Sequence, residues 1–552
     1  MDEKRREEAR LRALYEESTR YAEAYRALSH RDFAAVYPLA FGYVRSKYLL
    51  TPEQCESEKL LDLADVSLRQ TLALKRRGIQ VGEIARSCAG ASSVITKKIL
   101  LMKAMQEDFQ ISMTPEEFAA IDTLTDLAGF LAADRSGKTV PETTEVREKG
   151  KAALFDPMVV RKDFPALAET VHGKPLVYLD SAATAQMPRA VMDAVSEIEL
   201  ARGNIHRGIH ALSEKCTAAY EEARRTCAEF LGAALEQITF TAGTTDGINR
   251  VAAALGTMPG GVVATAMEHH ADLVPWQQAC KALGRPFRVC PVLPDGTLDM
   301  ETLDKLLDGD ISVLAVTHAS NVLGIVNPVE ELARMAHTHG IRILADGAQS
   351  ACHRKIDVNT LGCDWFVCSG HKLGGPFGIG LLYSREPLPP TRFGGGMVDR
   401  VTEEDATFLP APASGEAGTP NVSGAAGLGA AIRYRRALPA GWQDHERELL
   451  RRAEALLRQI PGVRILGTGE KEGCLSFTAE GAQPLDIALL MDSAGIALRS
   501  GNHCAQPLMA ALGVDHTLRI SPAYYNTTAE IDAFAGALRR ILPVLRAENG
   551  RR

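Results

Sequence analysis

Residues 366–378 read Phe-Val-Cys-Ser-Gly-His-Lys-Leu-Gly-Gly-Pro-Phe-Gly. The apolar run from Trp365 predicts a short buried strand, which is followed at once by small and polar residues and then by Lys372. The glycines after this lysine let the backbone approach a ligand closely. A lysine held in such a loop, partly removed from water, can lose its proton and act as a nucleophilic amine. Taken alone, the stretch favours a surface lysine in a glycine-rich turn.

A second segment favours the reactive lysine. Residues 341–345 predict another buried strand, and this strand ends in Asp346-Gly347-Ala348-Gln349. A lysine that can form an imine and a strand-end aspartate that can pair with a pyridinium nitrogen are the arrangement that pyridoxal phosphate (PLP) requires. The two segments together predict a PLP site.

The chain from residue 159 onward alternates between predicted strands and helices. This alternation is typical of an α/β domain with a mostly parallel sheet. Ligands bind such sheets at the carboxyl ends of the strands. Polar side chains follow those ends on successive segments: Thr244, His269, Asn321, Asp346, Gln349 and Lys372. Because the turn 242–247 opens a helix, its N–H groups and the hydroxyls of Thr244 and Thr245 predict a phosphate site.

Length and composition exclude several classes of protein. A chain of 552 residues is too long for one core, so two or more domains are expected. A net charge of -7 argues against a nucleic-acid or membrane-surface role. We expect no membrane span, since no apolar run approaches 18 residues, and no signal peptide. The eleven cysteines include no C-x-x-C pair, which favours a reducing cytoplasm over disulfides or a metal site.

The first 155 residues predict helices and a linker. Residues 1–55 form a helical segment in which Tyr21, Tyr25 and Leu28 recur at helical spacing and predict one packing face. Residues 56–133 predict four short helices. Residues 134–155 are rich in charged and small residues and predict a flexible linker.

The four-helix segment resembles an acyl- or peptidyl-carrier domain. The phrase Gly90-Ala91-Ser92-Ser93-Val94 falls where that family has its Gly-x-Asp-Ser-Leu attachment motif, which would make Ser93 the candidate attachment serine. The aspartate of the motif is replaced here by Ser92. The alternative is that Ser93 only caps a helix, and this alternative is preferred for the chemistry.

The remainder of the chain resembles the group II cysteine desulfurases, which are PLP enzymes of the class-V aminotransferase group and serve iron–sulfur cluster assembly. The motifs that carry the resemblance are Leu179-Asp180-Ser181-Ala182-Ala183, His206-Arg207-Gly208-Ile209-His210, Gly243-Thr244-Thr245, Met267-Glu268-His269-His270, Ala345-Asp346-Gly347-Ala348-Gln349, Ser369-Gly370-His371-Lys372 and Arg499-Ser500-Gly501-Asn502-His503-Cys504-Ala505. The resemblance implies PLP fold type I, with a catalytic domain at 156–424 and a smaller C-terminal α+β domain at 425–552.

The resemblance also implies a role for each matching residue. Lys372 would hold PLP covalently, Asp346 would pair with its ring nitrogen, Gln349 would bind its hydroxyl and His269 would stack on it. The residues implied to hold its phosphate are Thr244, Thr245, Ser369 and His371, with Thr419 reaching the phosphate of a partner subunit in a homodimer. The implied substrate residues are His206, Arg207, Asn321, Arg499 and Arg519.

The implied reaction converts L-cysteine to L-alanine and leaves the sulfur on Cys504 as a persulfide for a sulfur-acceptor protein. Cys504 lies in a glycine-bearing loop beside Arg499 and His503, where positive charge favours a thiolate. Two alternatives remain open. One is a selenocysteine lyase of the same fold, and the other is a PLP lyase that acts on an aminoacyl group tethered to the carrier-like domain.

Overall fold

The computed structural model describes residues 2–28, 31–76, 93–111, 113–133, 155–206 and 208–550. Three predicted features lie outside these residues: the linker apart from Phe155, Arg207, and residues 90–92 of the phrase that contains Ser93. Within the described ranges, no helix combines the length and apolarity needed to cross a membrane.

The helices are named in chain order. They are α1 Asp2–Arg26, α2 Phe33–Lys47, α3 Leu60–Arg76, α4 Val94–Phe109, α5 Pro115–Ala120, α6 Leu124–Ala132, α7 Pro157–Val160, α8 Arg189–Ala201, α9 Ala211–Leu231, α10 Thr244–Ala254, α11 His270–Leu283, α12 Met300–Leu306, α13 Val329–Thr338, α14 Val358–Leu361, α15 Val422–Arg436, α16 Trp442–Arg458, α17 Pro484–Ser493, α18 Gln506–Ala511 and α19 Thr528–Gly550.

The strands are β1 Thr170–Val171, β2 Lys174–Pro175, β3 Val177–Tyr178, β4 Ile238–Thr241, β5 Gly261–Thr265, β6 Phe287–Cys290, β7 Ile311–Thr317, β8 Arg342–Asp346, β9 Trp365–Ser369, β10 Gly380–Ser384, β11 Val398–Val401, β12 Ala406–Phe408, β13 Val463–Ile465, β14 Leu475–Ala479, β15 Ile496–Ala497, β16 Arg499–Gly501 and β17 Thr517–Ile520.

A seven-stranded sheet forms the centre of the large domain, in the order β4-β10-β9-β8-β7-β5-β6. Only β10 runs antiparallel to its neighbours. Strands β5, β9 and β10 are buried along their whole length, as expected when helices cover both faces of a sheet. The predicted α/β fold with a mostly parallel sheet is confirmed.

The small domain contains the four-stranded antiparallel sheet β13-β14-β17-β16. The implied boundary at 424/425 falls within α15, which packs against α8 and α9 of the large domain. The segment before α8 also belongs partly to the small domain. Strand β3 pairs with β15, and Phe164 packs against Tyr524 and Tyr525. The sequence of α15 is apolar on several faces, so it did not predict against which domain this helix would pack.

The N-terminal helices pack against one another in one bundle. Helix α2 packs against both α1 and α6, and α1 also contacts α4. Tyr25 stacks on Phe109 with ring centroids 4.5 Å apart, and its hydroxyl donates to the main-chain oxygen of Leu131 at 2.9 Å. Because Tyr21 and Leu28 pack on the same core, the predicted packing face is confirmed. Helices α3, α4, α5 and α6 lie within the predicted four-helix segment.

The bundle is docked on the small domain. Helix α4 packs against α17, and one apolar core runs from the bundle into α16, α17 and α19. The hydroxyl of Thr96 donates to Asp486 at 2.5 Å, and both side chains are buried. Lys103 of α4 forms an ion pair with Asp492 of α17. The bundle therefore packs against α17. The strands β15 and β16 and the loop that carries Cys504 follow α17 in the chain.

Candidate active site

A cavity of about 430 Å³ opens at the carboxyl edge of the central sheet. Strands β7, β8 and β9 each deliver polar side chains to it from their carboxyl ends, and the small domain closes the other side with β16, its following loop and β17. The predicted site residues that line it are Thr244, Thr245, His269, Asn321, Asp346, Gln349, Ser369, His371, Lys372, Arg499, Cys504 and Arg519.

Lys372 and Asp346 form the charged centre of the cavity. Lys372 ends a short 3-10 turn that follows β9, and burial lowers the pKa of its amine while the nearby Asp346 opposes that shift. Asp346 is 3% exposed, and burial raises the pKa of its carboxyl. Its Oδ1 accepts the N–H of Ala348 at 2.8 Å. A buried carboxylate facing an amine in a polar cavity suits the recognition of a cationic ring nitrogen.

The first turn of α10 and the end of β9 form a pocket of small polar groups. Gly243 precedes the helix with φ 148°, a conformation that favours glycine. The Oγ of Ser369 accepts the N–H of Thr244 at 2.8 Å, and the two hydroxyl oxygens also lie 2.8 Å apart. In the described structure, Nδ1 of His371 is buried without a partner. These groups and the helix N-terminus suit a phosphate.

His269 is fixed at the start of α11. Its Nδ1 accepts the N–H of Ala271 at 3.0 Å, so the ring proton of the neutral imidazole resides on Nε2. Burial lowers the pKa of His269 to about 3, assisted by Lys372. Burial likewise lowers the pKa of His371 to about 4. Both imidazoles are therefore neutral near pH 7, as suits a ring that stacks on a flat cofactor.

Two arginines from the small domain share Asp180. Arg519 is 3% exposed and donates from Nη1 to the main-chain oxygen of Asn321 at 2.8 Å and from Nη2 to Asp180 at 3.2 Å. Its Nε is buried without a partner among the described residues. The side chain of Arg499 is 49% exposed, and its Nη2 donates to Asp180 at 2.9 Å. Arg519 thus presents a fixed guanidinium to the cavity and suits a carboxylate.

The loop after β16 carries Cys504 in an unusual backbone conformation. His503 and Cys504 both have positive φ, at 51° and 55°, which is costly for residues with side chains. The hydrogen bonds that hold the loop include Cys504 N–H to Asn502 Oδ1 at 3.0 Å, His270 N–H to the Cys504 oxygen at 2.7 Å, and Asn321 Nδ2 to the His503 oxygen at 2.8 Å. Of the cysteines in the described part of the chain, Cys504 alone is exposed.

His206 and Thr419 do not line the cavity that contains Lys372. They lie together at a second cavity of about 640 Å³, with Arg224, Glu416 and the glycines of 395–396. The side chain of Ser93 accepts the N–H of Thr96 at 3.1 Å and therefore caps α4. In the described part of the chain, no three His, Cys, Asp or Glu side chains form a group that could hold a metal ion.

The sequence analysis did not assign roles to several residues that shape the site. Asp180 was quoted only as part of a motif, although it orients both arginines. Phe377 lines the cavity and stacks on His371 with ring centroids 5.6 Å apart. The sequence did contain a signal for Asp180, because an acidic residue that stands between a predicted strand and a run of small residues is typical of a polar site. No signal in the sequence pointed to Phe377, because glycine-rich loops rarely fix the side chains they carry.

A protein-family model described as aminotransferase class-V matches residues 177–534. The chain belongs to the aminotransferase class-V family. A probable cysteine desulfurase from Halalkalibacterium halodurans is 44% identical over 392 residues, covering 69% of this chain and 97% of the relative. A cysteine desulfurase from Synechococcus elongatus is 43% identical over 415 residues, covering 73% of this chain and 66% of the relative.

Solved structures give the same result. An apo cysteine desulfurase from Thermococcus onnurineus NA1 matches with a TM-score of 0.67 at 37% identity, over 71% of this chain and 100% of that chain. A cysteine desulfurase from Escherichia coli, described with an S-sulfonic acid, matches with a TM-score of 0.66 at 38% identity, over 71% of this chain and 99% of that chain. The predicted resemblance and the PLP fold type are confirmed.

PLP is the cofactor of this family, and the residues of the cavity fit it. The buried Asp346 suits the ring nitrogen, and Lys372 suits the aldehyde carbon. The unpartnered Nδ1 of His371 and the N-terminus of α10 suit the phosphate. When bound, PLP supplies an electron sink for bond changes at the α and β carbons of an amino acid.

Proposed function

We propose that the chain is a cysteine desulfurase that converts L-cysteine to L-alanine and retains the sulfur as a persulfide on Cys504. One observation carries the proposal most directly. Cys504, the exposed cysteine of the described chain, lines the same cavity as Lys372 and Asp346. A thiol in that position can reach the sulfur of an amino acid bound there.

Arg519 would bind the carboxylate of the substrate. Its guanidinium is buried and is already held on one side by Asn321 and Asp180, so little side-chain freedom is lost when a ligand binds. Its free Nε supplies a further donor. Arg499 is half exposed at the mouth of the cavity, where it keeps Asp180 in place.

Lys372 would move the proton at the α carbon. Burial lowers the pKa of its amine, which increases the neutral fraction that can accept a proton. The carboxylate of Asp346 would remain ionised when it faces a cationic ring nitrogen, because the pair offsets the cost of burial. The neutral His269 adds no charge to the cavity near pH 7.

Cys504 would take the sulfur as a thiolate. Its sulfur attacks the sulfur of the substrate, an S–S bond forms, and the Cβ–S bond of the substrate breaks. The electron pair of the broken bond remains on the β carbon, which takes a proton and becomes the methyl group of alanine. The step balances without an external oxidant or reductant.

The test is the release of L-alanine and sulfide from L-cysteine by the purified, PLP-loaded protein in the presence of a thiol reductant. We expect both products in equal amounts. Cys363→Ser is a matched control, because Cys363 is a buried thiol remote from the cavity lining. Consumption of L-cysteine without formation of L-alanine would contradict the proposal. Undiminished sulfide release by the Cys504→Ser variant would contradict it as well. Selenocysteine supplied in parallel separates desulfurase from lyase preference.

We also propose that the chain works as a homodimer in which Thr419 completes the site of the partner subunit. Thr419 and His206 lie together at the second cavity, where the described chain offers no amine like that of Lys372. Large apolar side chains are exposed close in the chain to residues of this cavity, since Ile209 at 97% follows His206 by three positions and Phe393 at 68% precedes Gly395 by two. Surfaces of this kind mark protein–protein contacts.

A mixed dimer tests this arrangement. Lys372→Ala inactivates the site of its own subunit, and Thr419→Asp places a negative charge against the phosphate of the partner site. Each homodimer should be nearly inactive, whereas co-expression should regenerate one intact site per mixed dimer. Failure of the mixture to recover activity, with sedimentation showing that dimers form, would contradict the shared site.

The N-terminal bundle would serve delivery of the sulfur rather than the chemistry, with a sulfur-acceptor protein as its partner and iron–sulfur cluster assembly as one destination. Ser93 remains the candidate site for a pantetheine arm, in which case a tethered substrate would be used. Intact-protein mass spectrometry after co-expression with a phosphopantetheinyl transferase tests this, with Ser93→Ala as control. If the protein keeps its unmodified mass after this co-expression, Ser93 is a helix cap and carries no pantetheine arm.

We propose the cytoplasm as the location of the protein. Ten cysteines fall in the described part of the chain, eight of them are buried thiols, and all ten are free. The persulfide chemistry also needs Cys504 as a thiol, and a reducing compartment keeps it so. Fractionation of cells that express the full chain would test the location.

A further inference from the structure

We propose that Glu268 and Asp272 share a single proton and act as one monoanionic pair that positions His269. The two residues lie four positions apart, one in the turn after β5 and the other in the first turn of α11. Both have 0% exposure. They touch neither the cavity nor Lys372, so they are positioning residues and not catalytic residues. The part of the inference that concerns turnover rests on the proposed function.

The hydrogen bonds leave one open position on each carboxyl group. Thr265 Oγ1 donates to Glu268 Oε1 at 2.6 Å, and Trp276 Nε1 donates to Asp272 Oδ1 at 2.9 Å. Glu268 Oε2 and Asp272 Oδ2 are buried without a donor in the described chain. Each carboxyl group shifts the pKa of the other, so the two lie close together in this buried site. Two ionised carboxylates in a dry site would repel, whereas one proton between them satisfies both oxygens.

The surroundings disfavour a second negative charge. Asp346 from β8 faces both carboxyl groups, Cys290 from β6 faces Glu268, and Lys372 offsets Asp346. Burial raises the pKa of both carboxyl groups, and their mutual repulsion makes the last proton of the pair the hardest to remove. The pair therefore keeps its proton near pH 7.

The pair anchors the segment that presents His269 to the cavity. The N–H of Asp272 donates to the main-chain oxygen of His269 at 2.8 Å, and the next residue along the turn, His270, donates from its main chain to the oxygen of Cys504. Loss of the shared proton would push the carboxylates apart. The start of α11 would then move, and with it both the imidazole and the thiol loop.

Amide substitutions distinguish a shared proton from two independent carboxylates. In Asp272→Asn the amide oxygen can accept from Trp276 and the amide nitrogen can donate to Glu268. Glu268→Gln can act likewise toward Thr265 and Asp272. The double variant places two amide nitrogens against each other, with no acceptor between them. At pH 5, we therefore expect both single variants to fold with nearly unchanged stability, and the double variant to have an unfolding constant about tenfold or more higher than either.

The pH dependence of stability supplies a readout that packing alone would not change. The folded pKa of the pair is raised above the unfolded value, so the folded protein holds one proton more than the unfolded chain between those two values. The stability that the shared proton contributes is fully present below the unfolded pKa of the pair. It is lost as the pH rises from that value through the folded pKa. From about pH 5 to pH 8, the unfolding constant of the unaltered protein should rise about tenfold per pH unit relative to Asp272→Asn.

Infrared spectra give an independent test. The carbonyl stretch of a buried neutral carboxylic acid should be present in the unaltered protein and absent from both single variants. Asp299→Asn is the control, because Asp299 is the half-buried N-cap of α12 and hydrogen bonds from Thr302 lower the pKa of its carboxyl. Parallel pH profiles, an unchanged infrared band, or a double variant as stable as the single ones would overturn the proposal.

Turnover of L-cysteine tests the link to His269. Each single variant should keep its rate of L-alanine release within about threefold at pH 7, and the double variant should lose about tenfold or more. The stability and infrared measurements need no substrate, so they decide the shared proton even if the protein proves not to be a desulfurase. A double variant that lacks the shared proton but retains full turnover would refute the positioning role.

Discussion

Arg519→Lys is the substitution that best separates the roles of the two arginines at the cavity. Arg519 is 3% exposed and lines the cavity, where it donates to Asn321 and to Asp180 while its Nε is buried without a partner among the described residues. Lysine keeps the positive charge but cannot make the same set of bonds, because its ammonium is a single point. The substrate carboxylate would lose at least one charge-assisted hydrogen bond.

The magnitude follows from that loss. A hydrogen bond to a charged group contributes about 1.5 to 3 kcal/mol, which corresponds to about a 10- to 150-fold decrease in kcat/KM for L-cysteine. Arg499→Lys is the matched control. Arg499 binds the same aspartate, but its side chain is 49% exposed, so its ion pair is worth at most about 1 kcal/mol, or a factor of about five.

The assay is steady-state L-alanine release over a range of L-cysteine concentrations, with PLP content measured for each protein. We expect the loss at Arg519 to appear mainly in KM, because the carboxylate is bound both before and during the reaction. Equal losses in the two variants, or a larger loss at Arg499, would refute the assignment of Arg519 as the carboxylate site.

Three further outcomes are expected. Lys372→Ala should abolish the protein–PLP adduct that borohydride fixes, and a reducible adduct in that variant would show that another amine is the anchor. Asp346→Asn should retain PLP but lose about a hundredfold or more in kcat, because a neutral amide cannot stabilise a cationic ring nitrogen; kcat within threefold of the unaltered enzyme would contradict this. Thr96→Val should lower the free energy of unfolding by about 1 to 3 kcal/mol, since it removes one hydrogen bond to the buried Asp486, while turnover of free L-cysteine stays unchanged. The exposed Thr125→Val is its control, and identical melting curves for both would contradict the docking role.

The sequence predicted the catalytic sheet well because strand-end residues obey a simple geometric rule. Asp346, Lys372 and His269 each follow a short apolar run, and parallel strands bring such positions to one edge. The docking of the N-terminal bundle was not predicted. Residues 134–155 predict a flexible linker, which says nothing about where the bundle docks. The contacts that dock it join α4 to α17, nearly four hundred positions apart in the chain, and no local pattern predicts such a pairing.

The pair of Glu268 and Asp272 was missed for a different reason. In the motif Met-Glu-His-His the imidazoles carry the obvious chemistry, and an acidic residue in a turn is typical of a solvated surface. Only the packing of β5 and α11 reveals that both carboxyl groups have 0% exposure. The packing of α15 on α8 and α9 was not evident from the sequence either, because a helix rich in alanine and glycine can pack on either domain.

The central claim is that the sulfur of L-cysteine passes to Cys504. Its most direct test is peptide mass spectrometry of the PLP-loaded protein after incubation with L-cysteine labelled with a heavy sulfur isotope, without reductant. The account predicts one labelled sulfur atom on the peptide that contains Cys504, and no labelled peptide in Cys504→Ser although PLP still binds. A labelled sulfur on any other cysteine, or labelled sulfide released at an undiminished rate from Cys504→Ser, would contradict it.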